Sequence, residues 1–359
     1  MSNFNSVPCT LVRGGTSKGV MFLESDLPSN LDAKCDLVLK IMGAPDSYRN
    51  QVQGLGGGKS TNNKVGIIKK STLENIDIEY LFMQLMPDSN VVDMKPNCGN
   101  FISAVPVYSI FKGLVPFNHN GVTTVRILNT NTNQVVHAKV LTNESGLVPS
   151  GNTLLSGVTG AFPEIILEFF NVVGSKTGKL FPLDCKRSNY LGIDFTVIDV
   201  SVPMIIIDGK SVGVDANTSI EFLQSEEIMT KIRKLRAYVG EVIGVQNISE
   251  SVIPKVSIVT VSDSCDIKSY YYDPFSLHDS HAVTGAMALA SCCLIPDTIA
   301  TKISKPLSSI NNLDYRVRIE HVSGSIAAII KINRDTENII SGSFVRTASI
   351  LMDGVAIVN

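Results

Sequence analysis

Two segments of the chain have the length of helices but are apolar on nearly every side. One follows Cys98 and includes FISAVPVYSI, and the other begins at Thr284 and reads TGAMALASCCLI. A helix that is apolar all round belongs in the interior of a fold. Each segment opens at a glycine-containing turn, NCGN at 97–100 and AVTGA at 282–286. The sequence therefore predicts two buried helices, each entered through a tight turn.

Most of the remaining sequence consists of short β-type runs separated by Gly, Asn, Asp and Pro. Examples are KVGIIKK, DFTVIDVSVPMIIIDG and YRVRIEHV, the last with the alternation of a half-buried strand. One further helix is indicated by NLDAKCDLVLKIMG, which starts after an Asn cap and ends at a glycine. We therefore expect an α+β protein with two β-rich halves, each a curled sheet around one apolar helix. The two helix N-termini could face one anionic ligand across a cleft; the alternative is two unrelated core helices.

Length and composition narrow the class of protein. A chain of 359 residues is longer than most single cores, so we expect two domains. With a net charge of −2, the chain lacks the excess of positive charge that is typical of nucleic-acid-binding proteins. Seven cysteines without metal-ligand spacing indicate a reducing compartment and no metal site. We see neither a secretion signal nor a membrane-spanning run, so a cytoplasmic location is expected.

Several motifs, in the same order along nearly the whole chain, resemble the PrpF family of the diaminopimelate epimerase-like superfold. They are VRGGTSKGVMF (12–22), GLGGGKSTNNKVGII (54–68), PNCGNFISAV (96–105), GSKTGKLFP (174–182), VIPKVSIV (252–259), AVTGAMALA (282–290), IEHVSG (319–324) and VRTASILMDGVAIV (345–358). The resemblance implies two similar domains, each a β-barrel-like sheet around a central helix, with the active site between them. Residues 1–185 would form the first domain, joined again by about 341–359, and residues 186–340 the second.

The resemblance also implies an activity. Family members shift a proton along an allylic system in a small di- or tricarboxylate, as methylaconitate, aconitate and 3-methylitaconate isomerases and 4-oxalomesaconate tautomerases do. We therefore expect a cofactor-independent isomerase whose substrate is a small carboxylate anion. The family further implies a homodimer.

The resemblance assigns roles to particular residues. Cys98 matches the family's catalytic thiol, and the helix start that follows it favours a thiolate. Lys64 matches the partner acid–base lysine after the glycine-rich loop. Without the motifs, Cys98 reads as a structural cysteine and Lys64 as a surface lysine. The expected substrate contacts are backbone N–H groups and side chains of Thr16, Ser17, Asn97, Gly99, Asn100, His278, Thr284 and Gly285; a packed or surface role for His278 stays open.

Two other functions remain open at this stage. An amino-acid racemase or epimerase of the same superfold is expected to carry a second cysteine in the second turn, but Ala282 stands there. A metabolite-binding accessory protein of an aconitase-like enzyme would not need both Lys64 and Cys98. Departures from the family pattern at Asn63, Pro106 and Val322 indicate a divergent member; Asn63 puts substrate contacts there in doubt, and Pro106 is expected to kink or shorten the first buried helix.

Overall fold

The computed structural model describes residues 5–95, 98–273 and 276–358, and β-strands in a large mixed sheet dominate them. The strands are β1 Asn5–Gly14, β2 Ser17–Leu23, β3 Lys64–Lys70, β4 Ile78–Leu85, β5 Val92–Asp93, β6 Gly121–Asn129, β7 Gln134–Asn143, β8 Gly146–Leu147, β9 Thr153–Leu154, β10 Ala161–Phe162, β11 Ile165–Phe170, β12 Ser188–Tyr190, β13 Ile193–Val200, β14 Val202–Asp208, β15 Lys255–Thr260, β16 Ile267–Asp273, β17 Ser276–Leu277, β18 Ser309–Asn311, β19 Asp314–His321, β20 Gly324–Asn333, β21 Asn338–Arg346 and β22 Ala348–Val358. The α-helices are α1 Leu31–Met42, α2 Ala104–Phe111, α3 Gly209–Val212, α4 Ile220–Leu223, α5 Glu226–Val242, α6 Val283–Leu294 and α7 Ile299–Ile303.

Local sequence signals place the elements where we expect them. KVGIIKK forms β3 and DFTVIDVSVPMIIIDG forms the antiparallel pair β13–β14. In β19, the buried residues Val317 and Ile319 alternate with the exposed residues Arg316 and Arg318, which confirms the predicted half-buried strand. Strand alternation therefore sets which side chains face the interior.

The predicted caps of α1 are both present. The side chain of Asn30 accepts a hydrogen bond from the N–H of Ala33 at 2.9 Å, which satisfies one of the unpaired donors of the first turn. Gly43 follows the last turn at φ 71°, in the left-handed conformation that favours glycine. The start and end of this helix are therefore determined by residues next to it in sequence.

Contacts divide the chain into two compact units. Unit 1 comprises the described residues of Met1–Glu168 and Val345–Asn359, and unit 2 comprises those of Phe169–Phe344. The C-terminal strand thus belongs to unit 1. Residues 169–185, which the sequence reading gave to the first domain, belong to unit 2 in the structure.

Unit 1 is built from strands in the spatial order β22–β1–β2–β3–β4–β6–β7. The β2–β3 and β4–β6 pairs are parallel, and the other pairs are antiparallel. Helix α2 contacts strands at both ends of this order, β22 and β7, and also β1, β3 and β6. Its residues from Ala104 to Ile110 are all buried, which confirms the first predicted buried helix.

Pro106 shortens the regular part of this helical segment. The chain first forms a 3₁₀ turn over Phe101–Ser103, and the α-helix begins at Ala104 and runs for eight residues. Pro106 therefore lies in the first turn of α2, where the missing backbone N–H costs little. The expected shortening is observed, and it leaves a 3₁₀ turn between Cys98 and α2.

Unit 2 repeats this arrangement in the order β12–β13–β14–β15–β16–β19–β20. The β14–β15 and β16–β19 pairs are parallel, and the other pairs are antiparallel. Parallel pairs therefore stand at the same two places in the strand order as in unit 1. Helix α6 contacts β13, β14, β19 and β20, and its residues from Gly285 to Leu294 are buried. The second predicted buried helix is therefore confirmed. In this alignment β3 and β4 of unit 1 correspond to β15 and β16 of unit 2.

Candidate active site

The Cys98 thiol lies at the entrance to the helical segment of unit 1. The N–H of Phe101, the first residue of the 3₁₀ turn, donates to Cys98 Sγ at 3.4 Å, and Ser17 Oγ lies 4.0 Å from the same sulfur. Cys98 is only partly buried. An N–H donor aimed at sulfur stabilises a thiolate more than a thiol. Asn97, an expected substrate contact, lies outside the described residues.

The turn between β1 and β2 packs directly against the Cys98 turn. Asn100 Nδ2 donates to Thr16 Oγ1 at 3.1 Å. A Cβ on Gly15 would lie 2.4 Å from Asn100 Oδ1, and Gly15 has φ 53°, so this position requires glycine. The structure thus places Ser17 next to the Cys98 sulfur and Thr16 next to Asn100 of the same turn.

Arg346 is a residue of this site that sequence reasoning missed. The residue is 6% exposed, and its Nε donates to Asn100 Oδ1 at 2.9 Å. Burial lowers the pKa of Arg346 to about 10, and the nearby Cys98 charge acts in the opposite direction. Arg346 therefore remains cationic at neutral pH and is a fixed positive charge beside the thiol. In the sequence, Arg346 is distinguished only by its position in the C-terminal segment that is expected to return to the first domain.

Lys64 is the first residue of β3, and its side chain is directed into unit 1. The residue is 7% exposed; its Nζ donates to Gln84 Oε1 at 2.6 Å and lies 5.3 Å from the centre of the Phe82 ring. Gln84 is directly opposite Lys64 in the β3–β4 ladder. These contacts exclude the alternative that Lys64 is an ordinary surface lysine.

Asn63, the departure next to Lys64, has a structural role. It is fully buried and exchanges two hydrogen bonds of 2.6 Å with the amide of Gln51. Gln51 also donates to the backbone oxygen of Met42 and accepts from the N–H of Gly58. Asn63 thus anchors the glycine-rich loop, and Lys64 leaves that loop in a defined position.

Gly19 connects the surroundings of the two candidate catalytic residues. It pairs with Lys64 in the parallel β2–β3 ladder, and Ser17, two residues earlier, lies next to Cys98. From ordinary strand spacings, the Cα atoms of Ser17 and Lys64 are about 8 Å apart. The Phe101 ring also packs on Phe82, with ring centres 6.2 Å apart, while the Lys64 amine lies near the same Phe82 ring. Cys98 and Lys64 therefore lie in one neighbourhood of unit 1.

We expect Gly19→Ala to destabilise unit 1. A Cβ at this position would lie 2.0 Å from the carbonyl oxygen of Lys64 and 2.9 Å from Cε2 of Phe101, so backbone must move. Forced overpacking of this kind costs about 1–3 kcal/mol in the free energy of unfolding. Urea unfolding followed by circular dichroism measures it. The matched control is Gly354→Ala on β22, where an added Cβ meets no atom within 4 Å; equal losses in both variants would contradict the expectation.

Tyr80 on β4 is a second residue that sequence reasoning missed. It is fully buried, and in the part of the chain that the structure describes its hydroxyl has no hydrogen-bond partner. Burial raises the pKa of Tyr80 well above its ordinary value, and the Cys98 charge acts in the same direction. The Tyr80 hydroxyl is therefore neutral and buried, and it interacts electrostatically with Cys98.

The predicted site residues of the second half lie around the start of α6 in unit 2. Thr284 is exposed, and Gly285 packs against the Tyr271 ring and His281. His278 is half-buried; its N–H donates to the backbone oxygen of Tyr271, and its Nδ1 accepts from the N–H of Ser280. The structure therefore brings His278, Thr284 and Gly285 to one end of α6.

His281, which the sequence did not single out, is the most buried titratable group of this region. Burial lowers its pKa to about 4, and its Nε2 has no hydrogen-bond partner within the described ranges. Its ring packs against the Tyr271 ring, with centres 4.4 Å apart and the planes tilted by 34°. His281 is therefore a neutral side chain that supports the first turn of α6.

The described residues contain no group of three or more His, Cys, Asp or Glu side chains arranged to hold a metal ion. No helix within them is both long and apolar enough to cross a membrane.

Comparison with known proteins identifies the class of enzyme. The (4E)-oxalomesaconate Delta-isomerase of Novosphingobium sp. (strain KA1) is 33% identical over 359 residues, covering 99% of this chain and 98% of the relative. The 4-oxalomesaconate tautomerase of Pseudomonas putida is 32% identical over 357 residues, covering 98% and 96%. The crystal structure of methylitaconate-delta-isomerase matches with a TM-score of 0.90 at 26% identity, covering 99% of this chain and 96% of that one. The protein is an isomerase.

The family follows from a match over almost the whole sequence. The sequence model described as PrpF protein matches residues 4–359. This chain therefore belongs to the PrpF family, as its motifs predict.

Proposed function

We propose that this isomerase moves a carbon–carbon double bond, or tautomerises a keto–enol pair, in a small unsaturated di- or tricarboxylate. Methylaconitate, aconitate and 4-oxalomesaconate are examples of this substrate class. The reaction is proposed to need neither a metal nor an organic cofactor, because only a proton changes position. The relatives support this substrate class, because they are named as oxalomesaconate and methylitaconate isomerases or tautomerases.

The observation that carries the proposal is the environment of Cys98. Its sulfur accepts the Phe101 N–H, and it lies beside the buried cationic Arg346, while the buried amine of Lys64 occupies the same unit. A thiol that accepts a backbone N–H beside a buried guanidinium, and an amine fixed by a hydrogen bond to Gln84, are a suitable acid–base pair. A structural cysteine would need neither feature.

The proposed chemistry conserves atoms and electrons. One of Cys98 and Lys64 removes a proton from the carbon next to the double bond, and the C–H electron pair forms a new π bond. The original π electrons move to the far carbon, which takes a proton from the other residue. Positioned acid–base groups of this kind contribute typically about 10²–10⁴-fold each. Charge that develops on a conjugated carboxylate is stabilised by fixed donors.

Donors for a substrate carboxylate surround Cys98 in unit 1. The hydroxyls of Thr16 and Ser17 and the N–H groups of Gly99 and Asn100 are proposed to bind it. Arg346 adds a positive charge that is held by Asn100. Asn97, His278, Thr284 and Gly285 remain predicted substrate contacts.

We also propose that both units have the diaminopimelate epimerase-like fold, with one domain in each unit. The support is internal: the two units share one order of strand pairing, and each has a buried apolar helix against its strands. A duplicated topology of this kind is what the family resemblance implies.

A racemase with two thiols is disfavoured by the residue that precedes α6. Ala282 is the N-cap of this helix, at the place where the superfold's racemases are expected to carry a cysteine. The cysteines within α6, Cys292 and Cys293, are fully enclosed, and burial raises the pKa of both thiols. They are therefore core residues and not acid–base groups.

The proposal is tested by proton NMR in D₂O with a panel of unsaturated polycarboxylates, beginning with trans-aconitate. We expect deuterium to enter at the carbon that loses its proton and the vinyl signal to migrate. EDTA-treated protein should retain the full rate, because no metal is proposed in the reaction. Ultraviolet absorbance at the wavelength of the conjugated acid gives an independent rate.

Two results would contradict the proposal. If the acids raise the melting temperature but no proton exchanges, the protein is a metabolite-binding accessory protein. If proline or another amino acid loses its α-proton and the polycarboxylates do not, the racemase alternative is correct. The Cys98→Ser protein is the negative control for both measurements.

A further inference from the structure

The amide of Gln84 has only one possible orientation. Its Nε2 donates to the backbone oxygens of Ser60 at 3.0 Å, Asn63 at 3.2 Å and Leu85 at 2.8 Å. Carbonyl oxygens only accept hydrogen bonds, so the NH₂ end of the amide must face them. Oε1 is thereby directed at Lys64 Nζ, 2.6 Å away.

A neutral carbonyl acceptor suits a lysine that must change its protonation state. It accepts a hydrogen bond from an ammonium and also from a neutral amine, so the amine stays in place in both forms. A carboxylate in the same position would favour the ammonium and oppose its deprotonation. The identity of the residue at 84 therefore affects whether Lys64 can exchange a proton.

Unit 2 contains a lysine whose position on its strand can be compared with that of Lys64 in unit 1. Lys255 is the first residue of β15, as Lys64 is of β3, and β15–β16 corresponds to β3–β4 in the shared pairing order. The partner of Lys255 on the neighbouring strand is Asp273, with which it forms an ion pair. The same backbone position thus holds a lysine–carboxylate pair in unit 2 and a lysine–amide pair in unit 1.

We propose that Gln84 is a positioning residue that fixes the Lys64 amine while allowing it to gain and lose a proton. The proposal rests on the acid–base role proposed for Lys64. In unit 2, where no acid–base role is proposed, a carboxylate takes the corresponding place and forms an ion pair with Lys255.

Three titratable groups lie on the side of the thiol, namely Cys98, Tyr80 on β4 and Arg346 at the end of β21. Asp93 on β5 is opposite Gln84 in the ladder, but it is exposed and accepts the N–H of Lys95. In the described part of the chain, no carboxylate forms an ion pair with Lys64.

Trace labelling with acetic anhydride, read for each lysine by mass spectrometry across a pH series, tests the proposal. Only the neutral amine reacts, so the method follows Lys64 and Lys255 in the same sample and requires no substrate. Gln84→Glu is expected to reduce Lys64 labelling at neutral pH about tenfold, which corresponds to about one pH unit in the half-labelling point. Asp273→Asn, the matched control, is expected to raise labelling of Lys255 by a similar factor and leave Lys64 unchanged.

Gln84→Met gives a second, opposite signature. The substitution removes the hydrogen-bond acceptor without adding charge, so the ammonium form of Lys64 loses its partner. Half-labelling of Lys64 should therefore move to lower pH. The turnover of the Gln84→Met enzyme should fall with little change in KM. A residue that only supported the fold would not move the two profiles in opposite directions.

The inference is overturned if the Lys64 labelling profile stays unchanged in folded Gln84→Glu protein, or moves the same way in both variants. If Gln84→Glu does not fold by circular dichroism, an unchanged profile in Gln84→Met overturns it. Because labelling is independent of turnover, this failure is distinct from absence of isomerase activity in the wild-type protein.

Discussion

Cys98→Ala and Cys98→Ser are expected to lose activity by about 10²-fold or more while the protein keeps its fold. Cys98 is only partly buried, its sulfur accepts the Phe101 N–H and lies 4.0 Å from the Ser17 hydroxyl, and both substitutions remove or replace a single heavy atom. Serine can accept the same N–H but does not ionise at neutral pH. Turnover of a responsive polycarboxylate, followed by absorbance or NMR, measures the loss.

Cys185→Ala is the matched control for this experiment. Cys185 is exposed and contacts Ser188 in unit 2, so its removal should leave turnover unchanged. Circular dichroism and the melting temperature establish that the Cys98 variants are folded. Wild-type turnover in either Cys98 variant would remove the thiol from the mechanism.

Lys64→Met is expected to reduce turnover by about 10²–10⁴-fold. Methionine fills much of the same space beside Phe82 but cannot carry a proton. The variant also leaves Gln84 Oε1 without its donor, and we expect this to cost about 1 kcal/mol in the free energy of unfolding. Stopped assays over a substrate series give kcat and KM separately.

The control for Lys64→Met is Lys70→Met at the other end of β3. Lys70 is exposed, so the change removes the same charge from the same strand without entering the site. It should alter turnover little. If Lys64→Met raises KM and leaves kcat intact, Lys64 binds the substrate and another group transfers the proton.

Much of the local structure could be predicted because its causes are local. The ends of α1 follow from Asn30 and Gly43, and the inward residues of β19 follow from strand alternation. The two apolar helices were predicted as buried because no polar face exists to meet water. The turn at Gly15 could also be anticipated, since two successive glycines before β2 mark a tight turn.

The neighbours of Cys98 and Lys64 could not be predicted in the same way. Arg346 and Asn100 are 246 residues apart, and no periodicity connects them. Gln84 is 20 residues from Lys64, and its role depends on the register of β3 against β4. At Asn63 the sequence only puts substrate contacts in doubt, and the anchoring of a loop through Gln51 is visible in the structure alone.

The amino-acid sequence alone predicted the two buried helices and the strand runs, because each depends on residues close together in the chain. The order of motifs along nearly the whole chain indicated the family, and that resemblance gave the candidate thiol and amine. Tertiary structure alone decided what surrounds the thiol and the amine. A buried guanidinium and a fixed amide oxygen act over a few ångströms, and only folding brings distant segments that close. The electrostatics of the site, and with it the chemistry that Cys98 and Lys64 can perform, is therefore a property of the folded chain.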